Sequence, residues 1–259
     1  MSTDALDRAA HTLARARGVV ALTGAGVSAE SGIPTFRDPS PADPDDPFAP
    51  LWAKYDPMQL ATPDAFEADT ELVTRWYDWR VGKCSGCQPN PAHHALAQLE
   101  QQLTARGAAF TLLTQNVDGL HRAAGSHNLH ELHGSVLDWR CSRCNLDHPH
   151  PGEPFESYPP PCRDCRAPLR PGVVWFGEAL PAPALEAAER AMHSCDCFLS
   201  IGTSAVVYPA AGFAHAAKHL GATVIELNKD PTPLSDTVDI ALQGNAGELL
   251  PDVVRRAFP

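Results

Sequence analysis

One junction constrains this chain more than any other feature: a short apolar run, residues 19–23 (VVALT), passes directly into the glycine-rich stretch GAGVSA, residues 24–29. A strand followed by G-x-G-x-x-A and a helix start is typical of loops that bind dinucleotide phosphates. Gly24 and Gly26 would let the backbone turn sharply and approach a pyrophosphate, whose charge is met by amide N–H groups of Ala25, Ser28 and their neighbours. The same pattern also occurs where a strand and a helix only pack tightly.

The usual dehydrogenase pattern makes a second demand that this chain does not meet. An acidic residue should end a second strand about 20 residues further on and hold the ribose hydroxyls. Here that window reads PSPADPDDPFAP, and its prolines exclude a buried strand. Asn228, at the end of the apolar run 223–228, could contact the ribose instead. The loop therefore favours NAD binding, while the missing acid argues against hydride transfer.

Apolar runs and helical patterns alternate along the chain. Further strands are expected at 110–116, 197–203, 223–228 and 239–243, and helices at 4–17, 92–103, 182–193 and 209–220. This alternation predicts the α/β class, with a doubly wound parallel Rossmann-like sheet. Two stretches interrupt it: a Pro- and Asp-rich segment followed by a helix at 63–80, and a Cys-, Pro- and Arg-rich segment at 141–170 with no hydrophobic core of its own.

These interruptions predict the domain organisation. Residues 1–38, 88–138 and 172–259 should form the Rossmann-like domain. A helical insertion, residues 39–87, and a zinc-binding module, residues 139–171, should form a smaller lobe.

Four of the eight cysteines have the spacing of a structural zinc site, C-x2-C-x17-C-x2-C: Cys141, Cys144, Cys162 and Cys165. Four thiolates give a closed tetrahedral site without an open catalytic position. A further pair, Cys84 and Cys87, could be a redox pair, but we favour two loop cysteines between helices. Cys195 and Cys197 are expected to be packing residues.

Bulk composition narrows the partners. A net charge of -11 disfavours a nucleic-acid backbone as the main partner, although it suits lysine-rich peptides. The first residues contain no apolar signal segment, and no apolar run is long enough to span a bilayer. We therefore expect a cytoplasmic protein, active as a monomer, that binds neither nucleic acid nor membrane.

Six segments, in order along the chain, resemble the signature motifs of the sirtuin family. They are GAGVSAESGIPTFRD (24–38), TQNVDGLHRAAG (114–125), ELHGS (131–135), VVWFGE (173–178), IGTSAVVYPAA (201–211) and ELN (226–228). The resemblance implies an NAD-dependent protein deacylase with one structural zinc ion. Such an enzyme cleaves the nicotinamide–ribose bond of NAD and transfers ADP-ribose to the acyl oxygen of an acyl-lysine. It releases nicotinamide, free lysine and O-acyl-ADP-ribose.

The resemblance also implies roles for individual residues. His133 would be the catalytic base that deprotonates a ribose hydroxyl, a task that suits the pKa of histidine, whereas the nearby His121 and His130 are interpreted as structural. Phe36 would shield the reacting carbon, and Arg37 would reach the phosphates. From spacing alone, Asn116 and Asp118 could equally be a polar turn. The cofactor set is Gly24, Ala25, Gly26, Ser28, Phe36, Arg37, Gln115, Asn116, Asp118, Gly202, Thr203, Ser204, Asn228 and Ala246.

The acyl group adds a further expectation. Tyr77 and Arg80 lie three residues apart on one helix face, where a phenol and a guanidinium together suit a carboxylate. The pair resembles the Tyr-x-x-Arg of sirtuins that remove succinyl, malonyl or glutaryl groups, and a small Ala61 leaves room for a longer acyl chain. On pattern alone, an amphipathic helix with an arginine beside aromatic residues is the favoured interpretation, and only the family resemblance favours the carboxylate pair.

The peptide carrying the acyl-lysine would insert as a strand. Its contacts are expected at Val174, Phe176, Gly177 and Val206. The alternatives are a deacetylase without preference for acidic acyl groups, a mono-ADP-ribosyltransferase, an NAD dehydrogenase, or a zinc-ribbon binding module without catalysis.

Overall fold

The structure is a computed structural model that describes residues 3–33 and 60–259. Within these ranges the strands are β1 (Gly18–Thr23), β2 (Ala109–Thr114), β3 (Leu129–Glu131), β4 (Gly134–Cys141), β5 (Asp147–Pro149), β6 (Leu169–Val173), β7 (Cys197–Ile201), β8 (Thr223–Asn228) and β9 (Ile240–Gln243). The helices are α1 (Thr3–Arg15), α2 (Ala25–Ala29), α3 (Pro63–Ala68), α4 (Thr70–Ser85), α5 (Pro91–Ala105), α6 (Leu120–Ala123), α7 (Ala182–His193), α8 (Gly212–His219) and α9 (Ala246–Ala257).

Strand β1 lies inside a parallel sheet, and all six of its residues are buried. Among the described residues this sheet has six strands, in the order β3-β2-β1-β7-β8-β9. Counted along the chain within this sheet, the order is 3-2-1-4-5-6, the arrangement of dinucleotide-binding folds. The predicted α/β, doubly wound Rossmann-like sheet is confirmed. The strand order reverses between β1 and β7, and ligands of such sheets bind at this point.

Helices cover both faces of the parallel sheet, as its fully buried central strands require. One face packs against α1, α5 and α9, with Leu13, Leu96 and Leu250 fully buried. The other face packs against α7 and α8 through small residues such as Ala188 and Ala214. The apolar surface buried on these two faces stabilises the sheet beneath the loops that follow its strands.

A second, antiparallel sheet has the strand order β5-β4-β6 and carries the cysteine-rich segment. It packs against α3 and α4 in one hydrophobic cluster, in which Trp76, Trp139 and Leu169 are among the buried side chains. The segment was expected to lack a core of its own. The structure refines this, because the helical insertion and the cysteine-rich sheet bury one shared core.

The helix predicted at 63–80 is two helices. Asp69 separates α3 from α4 with non-helical backbone angles (φ -148°, ψ 80°), and its carboxylate accepts a hydrogen bond from Leu72 N at 2.9 Å as an N-cap. Helix α4 then continues to Ser85. Cys84 therefore lies in its last turn and is buried, which corrects its placement in a loop.

Other boundaries differ by a few residues. The strands predicted to end at 116 and 203 end at Thr114 and Ile201, so the polar residues that follow them belong to loops. The helix predicted from 209 begins at Gly212. Helix α9 was not predicted; it contains Pro251, a residue that weighs against a helix interior. Among the described helices, none has both the length and the apolar character needed to cross a membrane.

Two histidines are buried where α5 and α6 meet the parallel sheet. His93 and His121 are at most 2% exposed, and their rings lie 4.7 Å apart. His121 Nε2 also lies 2.9 Å from the hydroxyl of Thr23, at the end of β1. Burial lowers the pKa of His93 to about 4 and that of His121 to about 3, so both rings are neutral in the folded protein.

We expect the free energy of unfolding to fall as the pH decreases below 6.5. Unfolded histidines bind protons near that pH, whereas the folded rings resist protonation until about pH 4 and 3. Each buried ring can contribute up to about 1.4 kcal/mol per pH unit in this window and nothing above it. Urea unfolding between pH 7.5 and 5 measures the slope. His121→Gln should flatten it, and the same change at the exposed His11 should not.

Candidate active site and zinc centre

The loops after β1 and β7 touch at the point where the strand order reverses. Gly26 N donates a hydrogen bond to Gly202 O at 2.8 Å, and Gly24 N donates to Ile201 O at 3.1 Å. A Cβ on Gly26 would lie 2.8 Å from Gly202 O, and one on Gly202, whose φ is +58°, would lie 2.5 Å from Val27 N. The glycines thus serve a close approach of two loops, a role that the cofactor motif alone did not reveal.

Three predicted cofactor residues converge beside this contact. The Ser28 hydroxyl donates to Asp118 Oδ2 at 2.7 Å, and Asn116 Nδ2 donates to Ser28 Oγ at 3.0 Å and to Gly24 O at 3.1 Å. All three polar side chains are at least 92% buried. Both amide hydrogens of Asn116 are used, so its Oδ1 is the atom it offers to a ligand. Asn116 and Asp118 both lie in the loop after β2 and meet through the Ser28 hydroxyl.

The same polar region continues along the carboxyl ends of the parallel strands, which we call the cofactor edge. It includes Gln115, Thr203 and Asn228. Gln115 Nε2 donates to Thr203 Oγ1 at 2.9 Å, and Asn228 Nδ2 donates to Thr203 O at 3.4 Å. The loops after β2, β7 and β8 are thereby brought together, as expected for a ligand site at the carboxyl ends of parallel strands.

Other predicted cofactor residues lie at the margins of this edge or outside the described ranges. Ser204 belongs to the loop after β7. Ala246 is buried as the first residue of α9, next to Gly247, whose amide donates to Glu30 Oε1 at 2.8 Å. The predictions for Phe36 and Arg37 lie outside the described residues.

His133 lies between the cofactor edge and the second sheet. Its Nδ1 is 3.0 Å from Gln115 O, and its own carbonyl accepts a hydrogen bond from Val174 N at 2.9 Å. Because a carbonyl can only accept, Nδ1 carries the proton, and Nε2 of the neutral ring holds the free lone pair. Burial lowers the pKa of His133 below its usual value, against the opposing effect of the hydrogen bond to Gln115. This is the tautomer that a general base at Nε2 requires.

The two nearby histidines that were interpreted as structural, His121 and His130, have hydrogen-bond partners within the protein. His121 contacts Thr23, as described above. His130 lies on the edge strand β3, where its Nε2 is 3.1 Å from Asn128 Oδ1.

Tyr77 is buried on the face of α4 that meets the end of β6. Its hydroxyl oxygen accepts a hydrogen bond from Trp175 Nε1 at 3.1 Å, and it is 4% exposed. Burial raises the pKa of Tyr77 to about 12, although the positive charge of Arg80 acts in the opposite direction. The phenol therefore keeps its proton at neutral pH, and the predicted neighbour Arg80 lies within electrostatic range of it.

A second arginine lies near Tyr77 but is committed to a carboxylate. Arg170 binds both oxygens of Glu178, at 2.7 and 2.9 Å, and stacks on Trp175 with its guanidinium carbon 3.5 Å from the ring centroid. Burial raises the pKa of Glu178, but its hydrogen bonds with Arg170 and Trp175 N outweigh this effect, and the net pKa is lowered. The Arg170 charge is thus locally neutralised.

The predicted substrate residues lie before α3, in the segment after β6 and in the loop after β7. Phe176 N donates to Ala61 O at 2.9 Å, which ties the segment after β6 to the chain two residues before α3. Phe176 is 41% exposed, and Val206, on the loop after β7, is 50% exposed. Val174 is held by His133 O, and Gly177 adopts a left-handed φ of +89°.

Sequence reasoning did not identify several residues that build the site. Asn90 donates to Val27 O at 2.7 Å and to Ser31 Oγ at 2.9 Å, and so supports the glycine-rich loop from α5. The Asn-Pro step at 90–91 indicated a helix start but not this long-range contact. Trp175 and Glu178 belong to the motif VVWFGE, yet no sequence pattern linked them to Tyr77.

The four zinc-pattern cysteines meet in one cluster. Their sulfur atoms all lie within 4.8 Å of one another, and a tetrahedral zinc with bonds of about 2.3 Å would set them about 3.8 Å apart. Amides of Arg143 and Cys144 each lie 3.4 Å from Cys141 Sγ, and Asp164 N lies 3.4 Å from Cys162 Sγ. Burial opposes ionisation of Cys141, but the hydrogen bonds from Cys144 and Arg143 outweigh it and lower its pKa to about 6.

The two cysteine pairs also share one backbone turn. Asn145 and Arg166, each directly after the second cysteine of a pair, have left-handed φ values of 56° and 62°. Each donates its amide to the carbonyl of the first cysteine of its pair. This repeated turn fits thiolates that point at a common ion, so the four cysteines could hold a structural zinc ion with no open coordination position.

The fold and these two sites together define an α/β protein with the strand order of dinucleotide-binding folds and a cysteine cluster that fits zinc. A sequence model of the Sir2 family matches residues 24–209. The chain belongs to the Sir2 family.

Relatives and solved structures agree with this membership. "NAD-dependent protein deacylase 1" of Pseudomonas aeruginosa is 49% identical over 95% of this chain and 97% of its own length. "NAD-dependent protein deacylase 2" of Pyrobaculum aerophilum is 47% identical, over 95% and 93%. A Sir2 homolog–NAD complex has a TM-score of 0.88 at 45% identity and covers 97% of this chain and 93% of that chain. A Sir2 variant with a deacetylated p53 peptide and 3'-O-acetyl ADP-ribose has a TM-score of 0.83 at 30% identity, over 96% and 97%.

Loss of one thiolate should remove the zinc ion and destabilise the small lobe. Cys165→Ser leaves three sulfur ligands, and structural zinc in small modules supplies about 10–16 kcal/mol of folding free energy. We expect zinc content by mass spectrometry to fall well below one ion per chain and the melting temperature to fall with it. Cys87→Ser, outside the cluster, is the matched control and should keep its zinc. Full zinc occupancy in Cys165→Ser would contradict the assignment.

Proposed function

We propose that this chain is an NAD-dependent protein-lysine deacylase that removes succinyl- and malonyl-type groups, and also acetyl groups, from lysine side chains. NAD is its co-substrate, and its products are free lysine, nicotinamide and O-acyl-ADP-ribose. Support comes from membership of the Sir2 family, from relatives that carry the name NAD-dependent protein deacylase, and from the likeness to an NAD complex. It acts as a monomer on protein substrates in the cytoplasm.

The observation that carries this proposal is the fixed tautomer of His133. Its Nδ1–H donates to Gln115 O at 3.0 Å, so the lone pair is on Nε2. Its carbonyl accepts a hydrogen bond from Val174 N, in the segment that we propose binds the peptide. In the proposed mechanism His133 lies between the two substrates and takes a proton from a ribose hydroxyl. The ribose oxygen can then attack the acyl carbon that has been joined to the cofactor.

The cofactor edge supplies the binding groups. Asn116 offers its Oδ1 to the amide of the nicotinamide, beside the Ser28–Asp118 pair, and Gln115 contacts the ribose. The loop at Gly24 and Gly26 receives the phosphates, with Phe36 and Arg37 closing the site as the family resemblance implies. Thr203, Ser204, Asn228 and Ala246 complete the adenosine side.

Acyl-lysine enters from the opposite side of His133. The peptide inserts as a strand between the segment at Val174 and Gly177 and the loop at Val206, with main-chain hydrogen bonds supplying most of the affinity. Exposed Phe176 and Val206 line this cleft. Side-chain contacts are few there, so sequence preference should be loose.

A preference for acidic acyl groups rests on the surroundings of Tyr77. Among the described residues, its hydroxyl has one hydrogen-bond partner, Trp175 Nε1, and Trp175 is the donor. The phenolic hydrogen is therefore buried without an acceptor, which costs about 1–3 kcal/mol until a ligand supplies one. An acyl carboxylate accepts this hydrogen and pairs with the Arg80 charge beside it. Ala61 leaves space for the two extra carbons.

Loss of His133 should abolish deacylation and leave NAD binding. We expect His133→Ala to bind NAD with near wild-type affinity by calorimetry and to lose at least about 100-fold in kcat/KM, the contribution of a general base. His130→Ala, which removes the edge-strand histidine, is the matched control and should remain active.

The pH profile tests the same role. Only the neutral ring can act as a base, and burial lowers the pKa of His133 below 6.5. Activity should therefore stay high through pH 6.5 and be lost as the pH falls through the lowered pKa. Near wild-type turnover by His133→Ala, or an acid limb above pH 7 in the wild type, would exclude the assignment.

Replacement of Arg80 should reverse the acyl preference. In a panel of acyl-lysine peptides with NAD, read by product mass, we expect succinyl-lysine to exceed acetyl-lysine in kcat/KM. Arg80→Met keeps the aliphatic stem, removes the charge and should invert this order, because a charge-assisted bond contributes about 1.5–3 kcal/mol.

Arg75→Met, on the same helix, is the control, since Arg75 pairs with Glu71 at the surface. Unchanged succinyl turnover in Arg80→Met would contradict the carboxylate pocket. Products carrying ADP-ribose on the protein, with no free lysine, would instead identify a mono-ADP-ribosyltransferase.

A further inference from the structure

Trp175 determines which way the Tyr77 hydroxyl can be used. The indole Nε1–H is a donor only, so at 3.1 Å it obliges the phenol oxygen to accept. A hydroxyl that accepts from one side directs its single hydrogen elsewhere. The buried Tyr77 oxygen has no other hydrogen-bond partner among the described residues, so this hydrogen is left for a ligand acceptor.

The Trp175 side chain is held in place from several sides. Arg170 stacks on its ring at 3.5 Å, and Phe66 contacts the same ring at a centroid distance of 5.2 Å. Glu178 Oε2 accepts a hydrogen bond from Trp175 N at 2.9 Å while it also binds Arg170. The indole is only 2% exposed. Its N–H direction is therefore fixed by packing and by an ion pair, and not by the substrate.

We propose that Trp175 is a positioning residue that fixes the Tyr77 hydroxyl as a hydrogen-bond donor and thereby sets the preference for acyl groups that end in a carboxylate. This inference rests on the proposed deacylase function and adds a residue to it. Trp175 acts on the acyl group only through the Tyr77 hydroxyl, so its N–H should affect the binding of charged acyl groups far more than that of neutral ones.

Without the indole N–H, the phenol could use its oxygen differently. The nearby guanidinium of Arg80 has only donors, so a freed Tyr77 oxygen could accept from it and draw it away from the acyl carboxylate. The pocket would keep its shape, because a phenylalanine ring at 175 retains most of the contacts with Phe66 and Arg170. It would lose the ordered donor, which acts mainly on substrate binding.

The test is a double-mutant cycle of Trp175→Phe and Tyr77→Phe with succinyl-lysine and acetyl-lysine peptides. We expect Trp175→Phe to lower the succinyl-to-acetyl ratio of kcat/KM about tenfold, chiefly through KM, as for one lost charge-assisted hydrogen bond. Tyr77→Phe should lower it by a similar factor. The double variant should have the ratio of Tyr77→Phe alone, because the N–H acts through the hydroxyl.

Trp139→Phe is the matched control for loss of a buried indole. Its Nε1 donates to Val136 O at 3.0 Å within the same small lobe, and the residue is 1% exposed. It should lower the melting temperature comparably and leave the acyl ratio unchanged. If Trp175→Phe fails to fold, Trp175→His takes its place, because it retains a ring N–H. Its affinity for a succinyl-lysine peptide should stay within about threefold of the wild type.

The outcomes separate the two proposals. Suppose that the wild type prefers succinyl-lysine. Additive losses in the cycle, or equal losses of kcat/KM for succinyl and acetyl peptides in Trp175→Phe, would then overturn the role of Trp175 but not the acidic-acyl preference. A wild type that removes acetyl and succinyl groups equally would overturn the acidic-acyl preference, and the role of Trp175 with it. Loss of the preference in Trp139→Phe would show that the ratio reports stability and would likewise overturn the inference.

Discussion

The backbone contact between Gly26 and Gly202 is the constraint on which the site depends. Two loops from neighbouring parallel strands approach so closely that a side chain on either glycine would meet backbone atoms at 2.8 Å or less. The contact lies where the strand order reverses, and it sets the floor of the cofactor edge. Beside this contact, Ser28 joins the loop after β1 to Asn116 and Asp118 in the loop after β2. Small residues here are required by packing before any ligand is considered.

The small lobe depends on a different kind of constraint, a core shared between two chain segments. Asp78, on α4, accepts hydrogen bonds from His150 Nε2 at 2.6 Å and from the Tyr158 hydroxyl, and both partners lie in the cysteine-rich segment. His150 Nδ1 accepts from Gly152 N, which leaves Nε2 as the donor. A buried carboxylate with two donors is stable, whereas the same group without them would be costly. These contacts join the helix that carries Tyr77 and Arg80 to the segment that carries the four clustered cysteines.

The sequence predicted what depends on local pattern. Alternating apolar runs indicated the parallel sheet, and cysteine spacing indicated the zinc cluster. It did not predict α9, because Pro251 hides the helix, or the break at Asp69, because propensity cannot show where a helix must turn to pack. The shared core and the glycine contact were also missed, since both depend on residues far apart in sequence. Local patterns specify elements, and long-range contacts specify how their side chains are used.

A single short segment after β6 joins both chemical ends of the site. Val174 N binds the carbonyl of His133, the proposed base, and Trp175 binds the hydroxyl of Tyr77. Phe176 N donates to Ala61 O, two residues before α3, and Glu178 binds Arg170. Because one short segment, which turns at Gly177, makes all these contacts, a few peptide units separate the contact with the proposed base from the contact with Tyr77. In the proposed deacylase, the length and charge of the acyl chain would then decide how close its reacting carbon comes to His133, so this segment would couple selectivity to catalysis.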